Sequence, residues 1–397
     1  MTTELLAPAG NFAKLKTAFY FGADAAYLGG KEFSLRSFAD NFTREELVRA
    51  VEYAHGLGKK VYVTANIYAR NGDLAAMEDY FAFLEQAGAD AALISDPGVL
   101  YAAKKTAPGL PVHISTQANI TNKYAVKFWR DMGACRAVLA RELSLAEIAE
   151  IHDFVPDMEL EAFVHGAMCI SYSGRCLLSD YLTGRPSNRG ECAQACRWNY
   201  SIRKRDDKSD SGWLDMEEDE RGAYILNSKD LNMSAYLDKM RQAGVCSFKI
   251  EGRMKSEYYL ATVINAYRRC MDGGYSGVVE RELATAAHRD YTTAYALGEN
   301  HGTVNYSDSQ AKGDCDYIGN VAGTEGDCVL VEMRGRFRKG DVLEVLSPSE
   351  NFGRSFEVGN VWLPDGSLTD DCKLVQTVYK VECPYKLSAG DILRRRK

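Results

Sequence analysis

Two periods alternate along the first part of the chain. Stretches such as K-L-K-T-A-F-Y-F at 14–21 and L-A-A-M-E-D-Y-F-A-F-L at 74–84 repeat apolar residues every three to four positions, the spacing of a helix with one buried face. Between them lie short, largely apolar runs, the pattern of strands covered by helices on a parallel sheet. One phrase marks the junctions: G-A-D-A-A-Y-L-G from Gly22, G-A-D-A-A-L-I-S from Gly88, G-A-C-R-A-V-L-A from Gly133 and G-V-C-S-F-K-I-E from Gly244. Each reads as a helix-ending glycine followed by a strand.

The pattern predicts strands at 4–8, 23–28, 60–65, 89–94, 112–115, 135–139, 159–163 and 247–250. Helices are expected at 12–21, 44–57, 73–86, 99–105, 123–132 and 145–154, and a further helix at 257–270 closes the series. Thr43 and Ser144 are N-cap candidates, Thr43 with Glu46 three residues on. Eight βα units indicate an α/β fold, a (β/α)8 TIM-like barrel. A doubly wound open sheet is the competitor, but no G-x-G-x-x-G opens a helix after an early strand. From about residue 316 the character changes to short strands such as V-L-V-E-M and V-Q-T-V-Y, with Gly-Asp turns at Gly340 and Gly390. These suggest a small C-terminal β-barrel domain. The expected organisation is a catalytic barrel at 1–275, a linker at 276–315, whose segment 281–298 receives no assigned element, and the β-domain at 316–397. The closing R-R-R-K at 394–397 reads equally as a phosphate-touching tail or a solubilising terminus.

In such barrels functional side chains stand at the carboxyl ends of the strands. Here those ends are polar: Asn66 and Tyr68, Asp96, then Ser115, Gln117 and Asn119, Arg141 and Glu142, His165, and finally Glu251, Arg253 and Lys255. Any one alone reads as a cap or turn residue; together they form a rim. His113, alternating with Ser115, is expected to hydrogen-bond inside the barrel. A barrel repeat is about thirty residues, yet the seventh and eighth strands are separated by the stretch from 163 to 247. A Cys-rich insertion at 167–222 is therefore expected on the active rim.

That insertion holds four of the chain's eleven cysteines, Cys169, Cys176, Cys192 and Cys196, spaced C-x6-C-x15-C-x3-C. Thiolates at that density suit an iron–sulfur cluster or, less well at this spacing, zinc; four unconnected thiols are the plain alternative. Arg185, Arg189, Arg197, Arg203, Lys204 and Arg205, interleaved with Trp198 and Tyr200, form a candidate nucleic-acid surface. The plain alternative is a solvated charged loop, and D-M-E-E-D-E at 215–220 reads as an acidic excursion. S-K-D at 228–230 is a further rim candidate.

Composition narrows the setting. The chain has 397 residues, 46% apolar and 26% charged, and a net charge of −7, an ordinary globular balance that leaves room for a local basic patch. No run approaches a membrane span and the N-terminus lacks a signal-peptide pattern, so a cytoplasmic protein with reduced thiols is expected.

The phrase E-A-F-V-H-G-A-M-C-I-S-Y-S-G-R-C-L-L-S at 161–179, with R-G-E-C-A-Q-A-C-R-W, N-S-K-D-L and K-I-E-G-R-M-K-S further on, resembles the signature of the collagenase-like peptidase family U32, and within it a branch of RNA-hydroxylating enzymes. The resemblance implies oxygen-independent hydroxylation of a wobble uridine in the tRNA anticodon loop to 5-hydroxyuridine, with prephenate, a small dicarboxylate, as cosubstrate and a [4Fe–4S] cluster as cofactor. Some relatives act on ribosomal RNA cytidine. Certain members carry a cysteine just after S-K-D-L; here that place is Asn232, so the resemblance implies Cys169, Cys176, Cys192 and Cys196 as the ligands. Gln117, Arg141, Glu142, His165, Glu251 and Arg253 are then the candidates for binding the donor and the flipped base. The peptidase alternative would pair Cys169 as nucleophile with His165, four residues away; no H-E-x-x-H supports a zinc protease.

Overall fold

The computed structural model describes residues 3–35, 40–198, 228–298 and 310–397, together with residues 203–204, 214–215 and 303. Contacts divide the chain into two compact units. One comprises Met1–Phe12, Ala25–Met254 and Arg289–Ala311; the other comprises Ala13–Asp24, Lys255–His288 and Lys312–Lys397.

The first unit is built on eight parallel strands: β1 (Glu4–Ala9), β2 (Ala25–Gly29), β3 (Lys60–Thr64), β4 (Ala91–Ile94), β5 (Val112–Ile114), β6 (Arg136–Val138), β7 (Glu159–Ala167) and β8 (Val245–Ile250). They pair in sequence order, and β8 closes the ring by pairing with both β1 and β7. The result is a TIM-like barrel. Helices α1 (Phe12–Tyr20), α2 (Arg44–Gly56), α3 (Leu74–Gln86), α4 (Pro97–Thr106), α5 (Lys123–Asp131) and α6 (Leu145–Phe154) follow the first six strands in turn, and α7 (Leu178–Thr183) and α8 (Leu237–Gln242) lie between β7 and β8 in sequence. Thr43 and Ser144 both cap through complete capping boxes, with Glu46 and Glu147 reaching back. The four phrase-opening glycines all have positive φ, from 74° to 102°, the left-handed turn that ends a helix and that glycine adopts without a Cβ penalty.

β7 runs four residues beyond the apolar stretch that predicts it, which puts His165 inside a strand. The extension has a partner: the short strand Asp230–Asn232 pairs antiparallel with it, Asn232 opposite His165, and Tyr291–Thr292 pairs parallel on the outer side. Neither short strand has enough residues to show a period. Asp230 is buried and ion-paired with buried Arg289, Nε to Oδ1 at 3.1 Å, which ties the returning chain to this added edge.

The barrel interior is charged. Arg136 Nη1 donates to Glu4 Oε1 at 2.7 Å and to Glu161 Oε2 at 3.2 Å, and Lys249 Nζ donates to Glu161 Oε1 at 2.6 Å. Tyr62 and Ser247 hydroxyls add bonds to Glu4 at 2.6 and 2.8 Å. Glu161, Arg136 and Lys249 are all buried, so each charge depends on its partners. His113 stacks edge-on against Tyr62 with ring centroids 4.6 Å apart. Its Nδ1 has no partner among the described residues, in contrast to the hydrogen bond expected of it. Burial and the charges of Arg136 and Lys249 hold it neutral.

The second unit contains helices α9 (Glu257–Gly273) and α10 (Gly277–Leu283) and a seven-stranded antiparallel sheet running from Cys315 to Arg396. Where a β-barrel is expected, the pairings give a sheet whose outer strands, Ser355–Glu357 and Val361–Trp362, are not joined to each other. Its core is apolar, with Ile318, Val331, Phe337, Val345, Val381 and Leu393 almost fully buried. The closing basic run is neither tail nor solubilising terminus: Ile392–Arg396 is a central strand. Arg394 is buried and donates to Glu282 Oε1 at 2.6 Å and to Glu344 Oε1 at 2.9 Å, while Arg395 and Arg396 pair with Asp341 and Glu344. Its charge is consumed inside the unit.

Candidate functional site

The carboxyl ends of β2 to β8 supply a polar mouth. Arg253, just after β8, is buried; it donates from Nη1 to Thr64 Oγ1 at 3.0 Å and from Nη2 to Ser34 Oγ at 2.8 Å. Asn66 Nδ2 donates to Ser115 Oγ at 2.9 Å, and the Ser95 hydroxyl donates to the Asn66 carbonyl at 3.1 Å. The Asn66 Oδ1 is buried with no partner among the described residues. Gln117 sits on a single 3₁₀ turn, Thr116–Ala118, that Ser115 caps and left-handed Asn119 ends. Asp96 is the N-cap of α4, bonded to the Val99 amide at 3.0 Å.

Arg141 and Glu142 follow β6. Arg141 Nη1 donates to the Ala167 carbonyl at 2.8 Å and its guanidinium lies 5.0 Å from the Phe163 ring centre. A cavity of about 30 Å³, lined by Arg141, Phe163 and mostly apolar neighbours, lies beside it, room for a water or two and no substrate. Glu142 is half-buried, and its Oε2 has no partner among the described residues. Burial pushes its carboxyl above the ordinary range, against the pull of Arg141. His165 is buried, its ring 5.4 Å from that of Tyr291. Glu251 is half-buried, and its backbone amide donates to the His165 carbonyl at 2.9 Å.

The cysteine segment that follows β7 lies on this rim. The Tyr68 hydroxyl donates to the Gly174 carbonyl and, at 3.3 Å, to that of Gln117. The Tyr68 amide donates to the Asn188 carbonyl at 2.9 Å. Arg189 Nη1 reaches the Tyr68 carbonyl at 2.8 Å and Asp73 Oδ2 at 2.9 Å. Arg189, a candidate for phosphate contact, thus fastens the segment to the barrel. Gly174 has φ +75°, and a Cβ there would lie 2.2 Å from the Gln117 carbonyl oxygen, so only glycine allows this approach. Arg185 Nε donates to the Glu191 carbonyl at 3.1 Å and Arg197 Nη1 to Gln194 Oε1 at 2.9 Å. Arg203 and Lys204 pair as backbone with Leu214–Asp215; Arg205, Tyr200 and residues 216–220 of the acidic run lie outside the described residues.

The [4Fe–4S] cluster and the metal role of Cys169, Cys176, Cys192 and Cys196 are corrected by the structure. Among the described residues no group of three or more Cys, His, Asp or Glu side chains could hold a metal ion. Cys169, Cys176 and Cys192 lie in irregular loop and Cys196 in the 3₁₀ turn Ala195–Arg197. Cys169 shares its proton with Cys176: that bond raises the Cys169 thiol and pulls Cys176 down to about 5. Cys192 Sγ accepts from the Gln194 amide at 3.4 Å. Cys196 senses the charges of Cys192 and Cys176, and burial raises its thiol. The donor set does not fit a cluster. The same pairing weakens the protease reading, since a nucleophilic thiol is one whose pKa is lowered and Cys169 moves the other way.

Arg289 and Gly174 are site residues that patterning did not single out by role, while Asp230 stood out only as part of the S-K-D rim candidate, without its partner Arg289.

Residues 10–306 match the model of peptidase family U32, and residues 313–394 match the C-terminal domain of that family. The chain is 40% identical to tRNA hydroxylation protein P1 of Bacillus subtilis, a match covering 99% of this chain and 95% of that protein. It is 37% identical to tRNA hydroxylation protein P of Escherichia coli, covering 89% of this chain and 88% of the other. The 23S rRNA 5-hydroxycytidine C2501 synthase of Escherichia coli is 33% identical over 88% of this chain and 53% of that larger protein. The matches over residues 10–306 and 313–394 together leave one conclusion: the chain is a member of peptidase family U32.

Proposed function

We propose that this chain hydroxylates C5 of a tRNA uridine at the wobble position, forming 5-hydroxyuridine. The observation that carries the reading is the end-to-end similarity to tRNA hydroxylation protein P1, at 40% identity over 99% of the chain. Replacing C5–H by C5–OH is a two-electron oxidation. Without dioxygen, a co-reactant must take up the two electrons, and the oxygen atom comes from that co-reactant or from water. We take prephenate, a small dicarboxylate with one hydroxyl, as that co-reactant: the transfer balances as uridine C5–H plus donor C–OH giving C5–OH plus donor C–H, the donor carbon being reduced as C5 is oxidised, and Arg253 and Arg141 at the mouth are the groups suited to hold its carboxylates. Asn66 and Gln117 would then meet the polar edge of the flipped base, and Glu142, its carboxyl raised by burial, would take the proton leaving C5. The Cys-rich insertion, fastened across the rim through Tyr68 and Arg189, would shield this space from water. Hydroxylation of ribosomal RNA cytidine is the neighbouring reading, carried by the similarity to the 23S rRNA enzyme. Mass spectrometry of nucleosides from a strain lacking the gene separates them: loss of 5-hydroxyuridine from tRNA supports the proposal, and loss of 5-hydroxycytidine from ribosomal RNA alone overturns it.

A further inference from the structure

The segment 172–198 exposes several large apolar side chains. Tyr172 is 54% exposed, Leu177 69%, Tyr181 87% and Trp198 44%. Exposed aromatic clusters of this kind mark contact surfaces. The backbone beneath them is ordered. The Arg175 amide closes a turn on the Tyr172 carbonyl at 2.9 Å, and α7 (Leu178–Thr183), which carries Tyr181, ends on left-handed Gly184. Ser179 Oγ, in the first turn of α7, donates to the Arg185 carbonyl at 2.8 Å and accepts from the Ala193 amide at 2.9 Å. The Trp198 amide closes the next turn on the Ala195 carbonyl at 3.0 Å, and Ala195 is buried. The rings are thus held out from a fixed base.

The charge is complementary to a polyanion. In a chain of net charge −7, residues 172–198 carry Arg175, Arg185, Arg189 and Arg197 against Asp180 and Glu191 alone. Arg189 is committed to Asp73, whereas Arg175 is exposed on the same turn as Tyr172. Aromatic faces beside arginines are what unpaired nucleotides need: a π surface for each base and a cation for each phosphate.

We infer that Tyr172, Tyr181 and Trp198 are a stacking platform for unpaired bases of an RNA loop, with Arg175 as a backbone contact. The inference rests on the RNA reading above and names the surface that would receive the substrate. Stacking reads no sequence, so the platform would hold the loop while the barrel mouth selects the base.

The test uses the full-length chain and an anticodon stem-loop RNA with 2-aminopurine in its loop. Binding is expected to change the fluorescence of the stacked base. Tyr172→Ala and Tyr181→Ala are each expected to weaken binding about tenfold, with unchanged melting temperature and unchanged salt dependence. Tyr181→Phe, which keeps the ring, is expected to bind as the parent does. Arg175→Ala is expected to reduce the slope of log affinity against log salt by about one. Parent-like binding by the Tyr172→Ala, Tyr181→Ala double variant, in a protein whose tRNA product is intact in cells, overturns the platform alone. Failure of the parent chain to bind the stem-loop overturns platform and RNA reading together. Altered self-association with RNA affinity unchanged assigns the patch to protein docking and also overturns it.

Discussion

Arg136 shows how much one side chain holds in this barrel. It meets Glu4, Glu159 and Glu161 from a position 6% exposed. Removing one partner of a buried ion network leaves charge without compensation, at a cost of about 3–5 kcal/mol. Arg136→Met is therefore expected to lower unfolding stability by about that amount, read by urea denaturation. The pH dependence follows. Burial alone would raise Glu4, but Arg136 and the hydrogen bonds of Tyr62 and Ser247 outweigh it and hold its pKa below the ordinary value. A depressed carboxylate contributes stability above its unfolded pKa and loses it as pH falls through the folded one; the parent should lose stability at acid pH more steeply than the Met variant. Glu142 runs the other way, because burial raises it. If it accepts the C5 proton, activity falls as pH drops through a value above the usual glutamate pKa of about 4.3. Glu142→Gln should remove that limb and cost about a hundredfold in rate, measured as a pH–rate profile.

Among the elements, the cysteine segment is held to the rim by a few close contacts, and Gly174 permits the tightest. A methyl group there would strike the Gln117 carbonyl at 2.2 Å and the Tyr68 hydroxyl at 2.6 Å, at a φ of +75°. Gly174→Ala is expected to leave the barrel folded and to release the segment, seen as faster hydrogen exchange and proteolysis confined to residues near 168–198. The barrel strands were legible because apolar runs and phrase-opening glycines repeat. The three-residue strand Asp230–Asn232 was not, since its place depends on a distant partner, β7. The basic C-terminus misled for a related reason: a run of arginines reads as solvated until Glu282 and Glu344 are seen beside it. The charges inside the barrel could have been found, because Glu161 and Lys249 interrupt otherwise apolar strands and such charges must be paired.

At the scale of the whole molecule, the polar rim at the strand ends was readable from position alone, because a barrel gathers the ends of consecutive strands at one mouth. Cysteine spacing could not show whether the thiols converge; loop geometry decides that, and among the described residues no set of three or more side chains that could hold a metal forms. No described helix is long and apolar enough to cross a membrane. tRNA hydroxylation protein P1 of Bacillus subtilis is similar to this chain over 99% of its length, across both the barrel and the sheet unit. The most direct measurement is nucleoside mass spectrometry of purified tRNA from a gene-deleted strain grown without oxygen, compared with the same strain carrying the gene again. Disappearance of wobble 5-hydroxyuridine and its return with the gene is the expected result. Unchanged 5-hydroxyuridine in the deleted strain would contradict the proposed function.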